Sequence, residues 1–199
     1  MMAEWREVHP LPILDLDLEC RPLNWYGGDW VTREITAIGA QWVGKRRGRS
    51  WLLGVDDPLE MLVQFREWWD RAGMVTGHYI RAFDLPLLNA GMLEYGLQPL
   101  SKKLTQDTKL DLIKFSGLSK SQENLGALLQ LHHPKIQMDQ QKWRSANRLQ
   151  PEGIELARRR VMGDVHQHIE MRAELLRRGM LGPPKVWSPE GRVGSTYAP

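Results

Sequence analysis

Between Leu14 and Cys20 the chain alternates without a break. Leu14, Leu16, Leu18 and Cys20 take one set of positions, and Asp15, Asp17 and Glu19 take the other. A period of two marks a β-strand, because successive side chains leave a strand on opposite faces. This strand has one apolar face to bury and one face carrying three carboxylates. Burying the first face places the strand in a sheet. The second then brings acids close to a core, where a charged group is costly unless something compensates it. Two more acids stand in apolar settings: Asp84, between Phe83 and Leu85-Pro86-Leu87-Leu88, and Asp164 in Gly163-Asp164-Val165. Carboxylates gathered in one place repel one another at neutral pH. Divalent cations remove that penalty, and oxygen-only ligands suit hard ions such as magnesium or manganese. Asp17-x-Glu19, then Asp84, then Asp164 is an order that points to a two-metal, phosphodiester-cleaving site.

The surrounding punctuation predicts an α/β chain with a mixed sheet. Two more strands are expected around Glu34 to Val43 and Ser50 to Val55, joined by the basic turn Gly44-Lys45-Arg46-Arg47-Gly48-Arg49. Pro58 opens a helix to about Ala72, with Leu62, Phe65 and Trp69 at helical spacing. Met74 to Gly77 reads as a short strand. Pro86 belongs in the first turn of a helix that begins near Asp84 and runs to about Tyr95. Beyond it come a short strand at Gln106-Asp107-Thr108 and helices near Lys109 to Phe115 and Asn124 to Leu131. Pro134 to Asn147 has no clear pattern. Pro151 opens a long helix in which Ile154, Ala157, Val161, Val165 and Ile169 recur every three or four residues, with Gly163 as a point of bending and Gly179 as the end. The expected organisation is one domain over 1–181 and a flexible, Pro- and Gly-rich tail over 182–199.

Composition narrows the class. With 199 residues, 42% of them hydrophobic and 26% charged, the chain has the makings of one ordinary globular core. A net charge of +3 permits a nucleic-acid partner without demanding one. The single cysteine, Cys20, rules out an internal disulfide framework and fits a reducing compartment. No Cys/His set has zinc spacing, and His132-His133 before Pro134 reads as loop. The N-terminus lacks a signal-peptide hydrophobic region and no apolar run is long enough to span a membrane, so a cytoplasmic protein is expected.

At its acidic motifs the chain resembles the DEDD superfamily of proofreading-type 3′–5′ exonucleases, which share a ribonuclease-H-like fold. Leu16-Asp17-Leu18-Glu19 matches the first motif, Asp-x-Glu on the first strand. Gly77-His78-Tyr79-Ile80-Arg81-Ala82-Phe83-Asp84-Leu85-Pro86 looks like the second, where an aspartate opens a helix after the fourth strand. Gly163-Asp164-Val165 looks like the third, on the final core helix, and Asp107-Thr108-Lys109-Leu110 resembles the segment after the second motif. The resemblance implies two Mg2+ or Mn2+ ions: Asp17, Glu19 and Asp164 on one, and Asp17, with Asp84 through water, on the other. It implies hydrolysis from the 3′ end of single-stranded DNA to nucleoside 5′-monophosphates, in a bacterial or phage-infected cell, with a polymerase or another replication or repair protein as partner. A 3′–5′ exoribonuclease acting on short RNA and a nuclease-dead nucleic-acid-binding module are the alternatives.

One departure matters. The family places a tyrosine four residues before the last aspartate, or a histidine five before it, to orient and deprotonate the water. Here those positions hold Arg160 and Arg159, and a guanidinium stays protonated. Three readings remain open. His168 supplies the base from the Asp164 side of its helix, four residues on; metal alone activates the water, with Arg160 or Arg159 on phosphate; or activity is lost. Asp15 shares a strand face with Asp17, so Asp15 and Asp17 form a rival pair. Trp25, Tyr26 and Trp30 follow the acidic strand and are candidates for stacking unpaired bases. His78 is a candidate substrate contact at a strand end, and the Lys45 to Arg49 turn a candidate phosphate contact.

Overall fold

The alternating segment becomes an inner strand of the sheet. The computed structural model describes residues 11–23 and 33–191. In chain order its elements are β1 (Ile13–Pro22), β2 (Arg33–Trp42), β3 (Arg49–Leu52), α1 (Pro58–Arg71), β4 (Met74–Gly77), α2 (Asp84–Glu94), β5 (Lys103–Asp107), α3 (Thr108–Asp111), α4 (Gln122–Leu128), α5 (Gln140–Asn147), α6 (Pro151–Arg177) and β6 (Lys185–Trp187). The sheet runs β3-β2-β1-β4-β5-β6. β1 pairs parallel with β4 and β4 with β5, whereas β2, β3 and β6 join antiparallel to their neighbours. This is the expected α/β architecture, a ribonuclease-H-like mixed sheet flanked by helices.

Each face of β1 goes where its chemistry sends it. Leu14, Leu16 and Leu18 enter the main core with Ile38, Trp51, Phe65, Trp69, Leu85 and Leu88, beneath α1 and α2. Fully burying one such side chain contributes about 1.5–3 kcal/mol. The local signals match the elements: Asp57 caps α1 by accepting from the Leu59 and Glu60 amides, and Pro58 sits in its first turn. Among the described residues no helix is long and apolar enough to cross a membrane.

The acidic face of β1 is crossed by α6, whose 27 residues run through Gly163 without a break. The close approach occurs elsewhere, at Gly39, which pairs with Asp17 across the ladder. A Cβ on Gly39 would lie 3.0 Å from Val161 Cγ2 and 3.1 Å from the Val161 carbonyl oxygen. The missing side chain lets α6 rest directly on β2, three residues before Asp164. The buried stripe of α6 then carries Val161, Asp164, Val165, His168 and Arg172 across the sheet. Immediately after Glu19 the ladder shifts register in a β-bulge, which ends the regular alternation at that carboxylate.

Three expectations change. The tail drawn from 182 is structured in part: Lys185–Trp187 adds β6 to the edge of β5, and Trp187 packs edge-on against Trp69 at 5.7 Å. Thr105 Oγ1 and Gln106 Nε2 also donate to the carbonyls of Lys185 and Gly182, at 2.9 Å each. Composition alone carries no sign of an open strand edge waiting for a partner. The helix expected to reach Phe115 is the single turn α3. The unpatterned stretch before Asn147 holds α5, capped by the Asp139 carboxylate on the Lys142 amide.

Candidate metal centre

β1 and α6 bring three carboxylates together. One oxygen each from Asp17, Glu19 and Asp164 lies within 4.8 Å of the others. Asp84, the first residue of α2, is 3% exposed and close enough for its charge to act on Asp17. Its position depends on a strained turn after β4. Tyr79 sits at φ +75°, a region a bulky residue rarely adopts. The buried Asp107 holds that turn, accepting from the Tyr79 amide at 3.0 Å and the Arg81 amide at 2.9 Å, and from the Leu110 amide at 3.0 Å. The segment after the second motif therefore supports the turn that delivers Asp84.

The electrostatics are those of a crowded site. Burial, and then the charges of Asp84, Asp164 and Glu19, raise the Asp17 carboxyl well above its ordinary value. Burial pushes Asp84 up to about 8, against the pull of the Asp84 and Leu18 amides. Glu19 and Asp164 are also raised by burial, with cations opposing: Arg160 at Glu19, and Lys135 and Arg160 at Asp164. Arg160 Nε donates to Glu19 Oε1 at 2.6 Å and Nη2 lies 3.5 Å from Asp164 Oδ2. Lys135 Nζ is 3.3 Å from the same Asp164 oxygen.

These residues fit a hard divalent cation. All the donors are carboxylate oxygens, as such ions prefer. Asp164 Oδ1 is buried without a hydrogen-bond partner among the described residues, which leaves an acceptor for an ion.

His168 is placed differently from the expected base. It lies on the Asp164 side of α6 but one turn further on, over Asp15, and is 2% exposed. Its Nδ1 is 2.6 Å from Asp15 Oδ2 and its Nε2 is 3.0 Å from Thr108 Oγ1. Thr108 Oγ1 is 2.9 Å from His78 Nδ1, and His78 Nε2 is 2.8 Å from the Lys120 carbonyl. A carbonyl only accepts, so His78 Nε2 carries the proton and Nδ1 accepts from the Thr108 hydroxyl. The Thr108 oxygen then accepts from His168 Nε2–H. Both His168 nitrogens are engaged, which leaves neither free to deprotonate a water. Burial pushes His78 down to about 3, so it is neutral, and its ring nitrogens are likewise taken. Asp15 belongs to this chain of hydrogen bonds, not to the cluster, and the rival Asp15–Asp17 pair does not form.

Arg159 is exposed, whereas Arg160 points into the acidic cluster. Trp25, Tyr26 and Trp30 lie outside the described residues. Lys45 and Arg46 of the basic turn line an open groove with Gln41, His133, His166 and Glu170. Sequence reading missed Lys135 and the structural duty of Asp107. Lys135 sits in a loop with no periodicity to orient it, but Asp107 carried one signal, an acid just before a helix start.

No protein-family model matches the sequence, and no curated protein matches it. Among solved structures, the chain is similar to part of the family B DNA polymerase from the hyperthermophilic archaeon Pyrobaculum calidifontis. The TM-score is 0.65 at 14% identity, over 86% of this chain and 25% of the polymerase chain. The chain thus spans about a quarter of that polymerase, and at this identity the likeness is one of fold.

Proposed function

We propose that this chain is a divalent-metal-dependent 3′–5′ exonuclease acting on single-stranded DNA ends. The observation that carries the reading is the convergence of Asp17, Glu19 and Asp164, with Asp84 behind them, on the strand and helices where the DEDD exonucleases carry their acids. The similarity in fold to part of a DNA polymerase favours DNA over RNA. Bound Mg2+ or Mn2+ would lower the pKa of a water and stabilise the leaving 3′ oxygen. Asp17, Glu19 and Asp164 would hold that charge, and Asp84 would join them on losing its proton. Lys135, held to Asp164 through one contact, is placed to turn to a phosphate oxygen as the carboxylates take up metal. With both nitrogens of His168 occupied, no side-chain base is assigned, and activation of the water falls to the metal.

The Arg160–Glu19 ion pair favours a second reading, a nuclease-dead nucleic-acid-binding module whose acids are neutralised by its own cations. A 5′-labelled single-stranded DNA oligonucleotide, incubated with Mn2+ or Mg2+ beside Asp17→Asn, separates the two. A metal-dependent ladder shortening from the 3′ end, lost in the variant, is the expected result. Folded protein that binds the oligonucleotide and leaves it intact would establish the module instead, and a ladder on RNA alone would move the activity to the exoribonuclease alternative.

A further inference from the structure

Arg160 is anchored on every side. Nε donates to Glu19 Oε1 at 2.6 Å, Nη1 donates to the Ile136 carbonyl at 2.5 Å, and Nη2 lies 3.5 Å from Asp164 Oδ2. The guanidinium carbon lies 5.5 Å from the centre of the Trp143 ring, and the side chain is 12% exposed. Its planar fork suits carboxylates, and here it is fixed by two of them and a carbonyl. Lys135 is different: its ammonium meets the cluster at one oxygen, from a flexible stem, and can withdraw. Among the described residues, Asp164 Oδ1 is buried and without a partner, Arg160 takes one Glu19 oxygen, and an Asp17 oxygen lies within 4.8 Å of one from each of these acids.

We infer that Arg160 takes the place of one of the two divalent ions, so that the centre binds a single ion through Asp17, Asp164 and the other oxygen of Glu19. The role of that ion rests on the exonuclease reading above; the number does not. Asp17, Glu19, Asp84 and Asp164 supply at most four negative charges, and Arg160 already offsets one of them through Glu19 and Asp164, so a second ion, on Asp17 and Asp84, would leave the centre with a net positive charge. In a site this buried, salt screens such a charge poorly.

The test is a count of bound Mn2+ at saturation on the full chain, by isothermal titration calorimetry and, independently, by the electron paramagnetic resonance signal of the free ion. One ion per chain is expected for the wild type and for Arg160→Lys, and two for Arg160→Gln. Two ions in the wild type or in Arg160→Lys would overturn the inference, as would one ion in folded Arg160→Gln, because Arg160 would then not set the number. If Arg160→Gln does not fold, the counts for the wild type and Arg160→Lys decide. Two ions accompanied by DNA cleavage would remove this inference and leave the exonuclease standing, whereas no bound ion would remove both.

Discussion

Without metal, the protein should lose stability as pH rises from 6.5 to 8, and Asp84 is the reason. In the fold its carboxyl is pushed up to about 8, from an ordinary 3.8. Between those values the folded chain keeps a proton that the unfolded chain has released, so each rise in pH favours unfolding. The slope for one such proton is about 1.4 kcal/mol per pH unit. His78 acts in the opposite sense: it is pushed down to about 3 in the fold against an ordinary 6.5, so it adds stability as pH rises, a gain that fades over about one unit above 6.5, and His166, lowered by burial, has the same sign. The effects oppose each other most at lower pH, and above 6.5 the Asp84 effect is the larger. From pH 6.5 to 8 the expected loss is about 1 kcal/mol, because Asp84 is already half deprotonated at the upper end and the histidines offset part of it, or roughly 2–4 °C in Tm for a chain of this size. Raised values at Asp17, Glu19 and Asp164 have the same sign. The assay is urea unfolding in EDTA at half-unit pH steps, followed by tryptophan fluorescence, for which the chain has nine tryptophans. Asp84→Asn should flatten the slope and stabilise the metal-free protein at pH 8 by about 2–5 kcal/mol. A wild type whose stability is flat or rises across the window would refute the reasoning, and so would an Asp84→Asn variant that keeps the full slope.

Other perturbations test the scaffold. Gly39→Ala places a methyl 3.0–3.2 Å from Val161 and must push α6 outward; a loss of about 1–3 kcal/mol in urea unfolding is expected, together with weaker Mn2+ binding, and unchanged values for both would show that the close approach is unimportant. His168→Ala strands Asp15 and Thr108 in the core and should cost about 3–5 kcal/mol, while the pH profile of any cleavage by the protein that still folds keeps its shape. A shifted acid limb in that profile would return the base role to His168. Asp107→Ala releases the strained turn before α2 and should cost at least about 2 kcal/mol; faster amide exchange at Tyr79 and Arg81 is the specific readout, and unchanged protection there would mean that other contacts hold the turn. Asp17→Asn should stabilise the metal-free protein in the same urea assay, because it removes one charge from a set of mutually raised carboxylates. A destabilised, metal-free Asp17→Asn would contradict that account of the crowding.

Much of the architecture was legible because local rules write it into the chain. The Leu/Asp alternation placed β1 and separated its faces, Pro58 and Pro151 marked the starts of α1 and α6, and Pro86 put Asp84 at the head of α2. Each of these is a matter of period or of a backbone restriction that acts within a few residues. Partner choice is another matter. That Arg160 would meet Glu19, 141 positions away, and His168 would meet Asp15, 153 away, depends on how α6 lies across the sheet. A helical period shows which side of α6 faces inward, but not which strand residue waits beneath each turn. Here that register depends on Gly39, whose bare backbone lets Val161 settle on β2. β6 was hidden for the same reason, since three residues after two prolines become a strand only when β5 offers an unpaired edge. The sequence by itself determined the strands up to β4, the main helices and the residue types able to hold a cation. Only the tertiary structure decided which carboxylates converge, which histidines are spent on one another and where the arginine goes, because those contacts join segments whose spacing along the chain carries no information about their distance in space.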